Sequence, residues 1–300
     1  MKMNKLRLGL AIVLTLALAS CDDDQYDFGG IVLGVESSGT LQKAQSTLIE
    51  VPAFQEGDLF VTHNITFERD AETTDTVMNY CLAYDTVKYH SRWVAFRFDA
   101  SNRAKTVGRQ DAFQDDPSLP ARHLIGSNGF SGYDRGHLCA SNDRLISREA
   151  NLQTFYMTNM SPQLSQFNQD YWVNYETYVA NLGRSESFAD TLYVVKGGTI
   201  ADDQIMTWVD RPNGKRVAVP KYYYMALLRC KAGGYSAIAF LMEHRQYIGE
   251  DSNEASEKAA HAVTIDSLES FTGIDFFHNL PDTVENTVER SFNLSTWNLQ

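Results

Sequence analysis

The sequence predicts a mixed fold: strands dominate both ends of the folded part, and one strong helix lies between them. Three stretches predict it. Residues 93–98, Trp-Val-Ala-Phe-Arg-Phe, alternate between large and small or charged side chains, as a half-buried strand does. Tyr171, Trp172, Tyr175, Tyr178, Val179 and Leu182 recur at offsets of one, three and four, the pattern of an amphipathic helix. Residues 217–230 and 235–241 are rich in β-branched and aromatic residues and flank Gly233-Gly234, which reads as a strand pair around a turn. The 300 residues, 43% hydrophobic, are enough for one sizeable core or for one domain with a tail.

In chain order, Lys2, Lys5 and Arg7 precede an apolar run of twelve residues, 8–19. That run is too short to span a bilayer as a mature helix and reads as a signal peptide, residues 1–20. It ends in Leu18-Ala19-Ser20-Cys21, which resembles a bacterial lipobox; the resemblance implies lipid on Cys21 and a tether to the cell envelope, at the surface or periplasmic face of an outer membrane. An ordinary cleaved signal is the other reading. Residues 21–50 open on Asp22-Asp23-Asp24 and hold Gly29, Gly30, Gly34, Ser37, Ser38 and Gly39, the composition of a linker. The folded domain is expected over 51–300.

Strands are expected at 60–67, 79–84 and 93–98. Residues 99–132 carry two prolines, four glycines counting Gly132, and no period; a loop of that length in a compact domain is usually functional or disordered. A short helix is expected at 149–156. The helix from Asp170 is expected to stop at Gly183, where glycine suits a C-terminal cap. A buried strand is expected at 192–198 and a short helix at 267–277 ending on Gly273.

The formal charge of −12 argues against a generally basic nucleic-acid binder. Between Arg92 and Arg148, however, nine Lys and Arg face six Asp, so that segment runs against the global sign. It contains Asp134-Arg135-Gly136-His137. A neutral histidine is the side chain best poised to take a proton from water near pH 7. An arginine offers a planar fork of donors to phosphate, and a glycine allows close backbone approach. Those four residues alone fit a charged surface turn equally well.

Thirty-one residues on comes Asn168, then Trp172 and Glu176, preceded by Thr158-Asn159-Met160-Ser161-Pro162-Gln163. The ordered set resembles the DNA/RNA non-specific endonucleases of the ββα-metal group, the Serratia nuclease and endonuclease G-like proteins, over roughly residues 80–280. The resemblance implies an α+β fold, the ββα-metal nuclease fold, with a twisted, mainly antiparallel sheet, flanking helices, and the Asp134–His137 turn and the helix on one of its faces. It implies a metal-dependent endonuclease that cleaves DNA and RNA largely without regard to sequence and leaves 5′-phosphates. His137 would be the general base, Asn168 the ligand of Mg²⁺ (or Mn²⁺), and Glu176 a residue that reaches the ion through water. In regular helix Asn168 and Glu176 stand about 12 Å apart along the axis, so direct ligation by both is not expected. Arg135 and Arg109 would neutralise phosphate, with Arg103 the fallback for Arg109. Asn159 would support the site and Asp134 would orient the motif.

Two other readings stay open: a catalytically inactive surface lipoprotein that binds polyanions or a partner protein, and a phosphodiesterase for small nucleotides. Added Mg²⁺ separates an enzyme from a binder. His63, His90, His123, His244, His261 and His278 show no paired metal spacing and read as surface or core. With Cys21 lipidated, Cys81, Cys139 and Cys230 allow at most one disulfide; Cys139 is expected to be buried.

Overall fold

The computed structural model describes residues 33–34, 47–68 and 74–300. The expected signal peptide, Cys21 and most of the expected tether lie outside the described residues. In chain order the elements are β1 (Leu33–Gly34), β2 (Asp58–Glu68), β3 (Thr74–Asp85), β4 (His90–Phe98), β5 (Asp134–His137), α1 (Arg148–Gln153), β6 (Met160–Gln163), α2 (Val173–Arg184), β7 (Thr191–Gly198), β8 (Ile205–Asp210), β9 (Arg216–Pro220), β10 (Tyr222–Lys231), β11 (Gly234–Glu243), α3 (Ala255–Ala260), β12 (Ala262–Val263), α4 (Ile265–Thr272) and α5 (Asp282–Val288). The fold is α+β and its main sheet is antiparallel throughout, in the order β1-β2-β3-β4-β7-β10-β11-β12.

The two-residue period of the strands sorts the core into two layers. Val94, Phe96 and Phe98 of β4, Leu192 and Val194 of β7, and Tyr223, Met225 and Leu227 of β10 face one side. There they bury Trp172, Tyr175, Val179 and Leu182, the stripe the helical spacing predicts. Trp93, Ala95, Tyr193, Val195, Tyr224, Ala226 and Leu228 face the other side, against Ile265 and Leu268 of α4, Val288 of α5, and Val51. Because both faces are covered, the central strands read as near-continuous apolar runs.

Among the described residues the Asp134–His137 strand pairs with β6 alone, as a two-stranded ribbon separate from the main sheet. Three expectations change. The run 217–230 breaks at Lys221 into β9 and β10, and β9 pairs with β8 as a hairpin outside the main sheet. Gly183 does not cap the helix, which continues to Arg184. A Cβ at Gly183 would stand 2.2 Å from the Phe98 ring, so the glycine is there to let helix and sheet approach. The last change concerns the helix start: residues 167–172 form a π-helical turn that runs straight into α2, so Asn168 is not in regular α-helix. Such turns are rare and concentrate at functional sites.

The excursion after β4 is irregular apart from a short 3₁₀ turn at Ala121–His123, yet it is anchored. Asp116 accepts hydrogen bonds from the Ser118 backbone N–H and the Thr158 hydroxyl and lies 3.0 Å from His63 Nε2. Arg211, past the end of β8, donates to the carbonyls of Ile125, Gly126, Asn128 and Gly129. Cys81, Cys139 and Cys230 are all buried. Among the described residues no helix is long and apolar enough to cross a membrane.

Candidate active site

The site forms where the β5–β6 ribbon meets the π turn. Asp134 pairs with Gln163, Gly136 with Ser161 and His137 with Met160. A Cβ at Gly136 would stand 2.0 Å from Gln163 Oε1, so the glycine leaves room for the buried Gln163 side chain. The helix is tied to both ends of β5. At the first residue, Asp134 accepts from Asn168 Nδ2 at 3.0 Å, Gln169 Nε2 at 2.7 Å and Ser165 Oγ at 2.8 Å. At the last, the His137 carbonyl accepts from Trp172 Nε1 at 3.0 Å. Partial burial would raise the Asp134 carboxyl, but the three donors hold it below its ordinary range.

The same contact orients Asn168. Its amide nitrogen is committed to Asp134, so the carbonyl oxygen Oδ1 is left for another partner.

An aromatic pair gathers three of the named side chains. Phe113 and Phe155 pack edge to face, with centroids 5.0 Å apart. The His137 ring stands edge-on to Phe155 at 5.0 Å and tilted to Phe113 at 6.0 Å. The Arg135 guanidinium lies 3.5 Å above Phe113 and also donates to the Ser127 carbonyl at 2.9 Å. The Arg109 guanidinium lies 4.9 Å from the Phe155 centroid and pairs with Asp111 at 2.6 Å. Arg103, in contrast, is held by the carbonyls of Asp99, Ala189 and Asp190, at the start of β7.

His137 is 7% exposed, and its Nε2 is buried without a hydrogen-bond partner. Burial pushes its pKa down to about 3, with Arg109, Lys196 and Arg135 adding repulsion. The imidazole is therefore neutral across the working range. Glu176 shows the opposite shift. Its Oε1 is buried and unpartnered, and burial lifts its pKa to about 8 against the pull of Lys196. Arg109 acts on both Glu176 and His137, which places the three in one electrostatic environment.

Asn159 is wholly committed. Its Nδ2 donates to the carbonyls of Cys139 at 2.8 Å and Thr154 at 2.7 Å, and its Oδ1 accepts from the Cys139 N–H at 2.8 Å. It is fully buried and fixes the backbone just after His137 rather than pointing into the site. Of the residues named from sequence, the structure thus gathers His137, Arg135, Arg109, Asp134, Asn168 and Glu176, and places Asn159 behind them.

Sequence reasoning missed Phe155 and the buried pair Lys196–Asp143, 2.8 Å apart with both side chains fully buried. Lys196 was findable: a lysine inside Leu-Tyr-Val-Val-Lys-Gly-Gly, on the same face as Leu192 and Val194, must be buried and so must be paired. No spacing rule points to Phe155.

Comparison with known proteins agrees with this geometry. The family model for DNA/RNA non-specific endonucleases matches residues 60–283. A nuclease of Nostoc sp. is 32% identical over 216 residues, 70% of this chain and 75% of its own length. Human mitochondrial endonuclease G is 30% identical over 212 residues, 67% of this chain and 68% of its own. In three dimensions, a chain from the crystal structure of an EndoG/EndoGI complex superposes with a TM-score of 0.55 at 25% identity, over 68% of this chain and 85% of that one. The chain belongs to the DNA/RNA non-specific endonuclease family and is a nucleic-acid hydrolase.

Proposed function

We propose that the protein is a metal-dependent endonuclease that cleaves DNA and RNA with little regard to sequence. The observation that carries this reading is the double tie between β5 and the helix, which presents the His137 ring and the Asn168 carbonyl from one rigid unit. The donor set fits a hydrated Mg²⁺ or Mn²⁺: the neutral amide oxygen left over by the Asn168–Asp134 bond and a carboxylate with one buried, unpartnered oxygen suit an ion that keeps most of its waters. Asn168 Oδ1 would hold it directly and Glu176 through water. When bound, the ion would supply Lewis-acid stabilisation of charge on the phosphate and the leaving oxygen.

The chain's own residues do the rest. Neutral His137 takes the proton of the attacking water at Nε2. Arg135 and Arg109, held over their phenyl rings, neutralise the phosphate; guanidinium suits that task because its donors form a planar fork. Asp134 and Asn159 position these groups. None of these contacts reads a base edge, so cleavage is sequence-independent and salt-sensitive, with products expected to carry 5′-phosphates.

The test is degradation of a circular plasmid and of an RNA by the purified protein, with Mg²⁺, with chelator, and with His137→Ala and Asn168→Ala beside it. Expected is metal-dependent cleavage of both substrates, with each variant slower by at least a hundredfold at unchanged far-UV circular dichroism. Full activity of His137→Ala would overturn the assignment.

We also propose an exported, lipid-anchored protein, with residues 1–20 as signal, 21–50 as tether to the outer membrane and 51–300 as the nuclease domain. Lipid on Cys21 predicts incorporation of labelled palmitate in the expressing cell and none in Cys21→Ala; equal labelling of both would refute the anchor.

A further inference from the structure

On the sheet face away from the Asp134–His137 strand, α4 meets the end of α5 at a group of acids. Asp266 lies in the first turn of α4, Glu269 one turn later, and Glu289 is the C-terminal cap of α5. The Asp266 backbone N–H donates to the Glu289 carbonyl at 3.2 Å, which locks the two helix ends together. One oxygen from each of the three carboxylates lies within 4.8 Å of the others. Glu289 is 7% exposed, and its Oε1 is buried with no hydrogen-bond partner. Glu269 is partly satisfied, its Oε1 accepting from the Phe276 N–H at 2.8 Å.

The site is electrostatically unsatisfied as it stands. Beyond burial, the charges acting on Glu289 are Glu269, Glu285, Asp266 and Asp275, all acidic. A helix C-terminus further disfavours an anion. The adjacent Arg290 is engaged elsewhere, donating to Asn286 Oδ1 at 3.1 Å. Such a group resolves its repulsion by holding a proton or by binding a cation. Ile265, Leu268 and Val288, which precede the three acids in the chain, are buried in one apolar cluster, so the unpartnered Glu289 oxygen is costly where it stands.

We propose that Asp266, Glu269 and Glu289 form a second cation site, for Ca²⁺, remote from Asn168. Three carboxylates with no histidine or thiol select a hard cation. Ca²⁺ accepts irregular oxygen geometry at variable coordination number, whereas Mg²⁺ demands near-ideal octahedral geometry and gives up its waters reluctantly. Glu289 lies beyond the span of the family match, so the site ties the C-terminal segment onto the domain. Its occupation stabilises the fold and leaves the chemistry at His137 untouched.

The experiment is titration of the full chain with CaCl₂ in a calorimeter at pH 7.5, in an Asn168→Ala background that removes the proposed ligand of the other site. Expected is saturable binding of one equivalent of Ca²⁺, a Tm that rises with Ca²⁺, and binding at least tenfold weaker after a further Glu289→Gln. Asp266→Asn, at an exposed position, is the second variant should Glu289→Gln fail to fold; it should weaken binding in the same way. No saturable binding by the folded parent, equal binding by Mg²⁺, or affinity unchanged in Asp266→Asn would overturn the proposal. A parent that gains nothing from Ca²⁺ while Glu289→Gln raises its Tm would identify a shared proton instead, and would also overturn it.

Discussion

Asp134 shows how one exposed-looking acid can carry a site. In sequence it is one of four motif residues with no evident partner; in the structure it collects three donors from the helix that presents Asn168. Removing it releases the Asn168 amide, which can then rotate its oxygen away from the site. Asp134→Ala should therefore raise the Mg²⁺ concentration needed for half-maximal cleavage by about tenfold or more, in line with loss of a residue that orients a metal ligand. Because Asp134 is only partly buried, Tm should move little. A metal titration of cleavage rate checks this, and an unchanged Mg²⁺ requirement would remove Asp134 from the positioning role. The motif residues were legible because their chemistry is unusual in a folding element. Asn159 was legible as important but not as to how: only coordinates show its amide spent on Cys139 and Thr154.

At the scale of elements, the helix carrying Trp172 was legible from its spacing, and its register was not. The π turn at 167–172 changes the residues per turn, so side chains four apart no longer lie on one stripe. That local widening lets Asn168 reach Asp134 while the Trp172 indole, fully buried, reaches the His137 carbonyl. The glycine at the other end teaches the same lesson. In an isolated helix Gly183→Ala would gain up to about 1 kcal/mol from helix propensity. Here the new Cβ meets the Phe98 ring, and overpacking of about 1–3 kcal/mol outweighs the gain. Gly183→Ala should thus destabilise, by a lower urea midpoint at unchanged slope; a higher midpoint would show that the interface yields.

The whole molecule carries two sets of buried ionisable groups whose shifts oppose each other. His90 and His244 are buried and pushed down to about 4, and His137 to about 3, from an ordinary value of 6.5. As pH falls below 6.5 the unfolded chain takes up protons that the native state refuses, so these histidines cost stability on the acid side, at up to about 1.4 kcal/mol per pH unit each. Glu176, Glu289 and Glu269 are raised to about 8, 8 and 7 from an ordinary 4.5. There the native state keeps protons the unfolded chain has lost, so stability is full below 4.5 and falls as pH rises through 7 to 8. Between pH 4.5 and 6.5 the two slopes offset. In chelator the Tm should therefore form a plateau over that range and drop on both sides, as a thermal melt series would show. A Tm still climbing from pH 6.5 to 8 would contradict the carboxyl shifts.

From sequence alone came the mixed class, the strand and helix content of the central sheet, and the ordered set His137, Asn168, Glu176, because apolar period and reactive side chains are local properties of the chain. Only the tertiary structure decided that Asp134–His137 forms a ribbon of its own, that Phe113 and Phe155 gather His137 and two arginines, and that Lys196 pairs with Asp143 behind them. Those contacts join residues 18 to 53 positions apart in sequence. Their free energy depends on burial and distance in the folded state, and neither quantity exists until the two core layers have closed on the sheet.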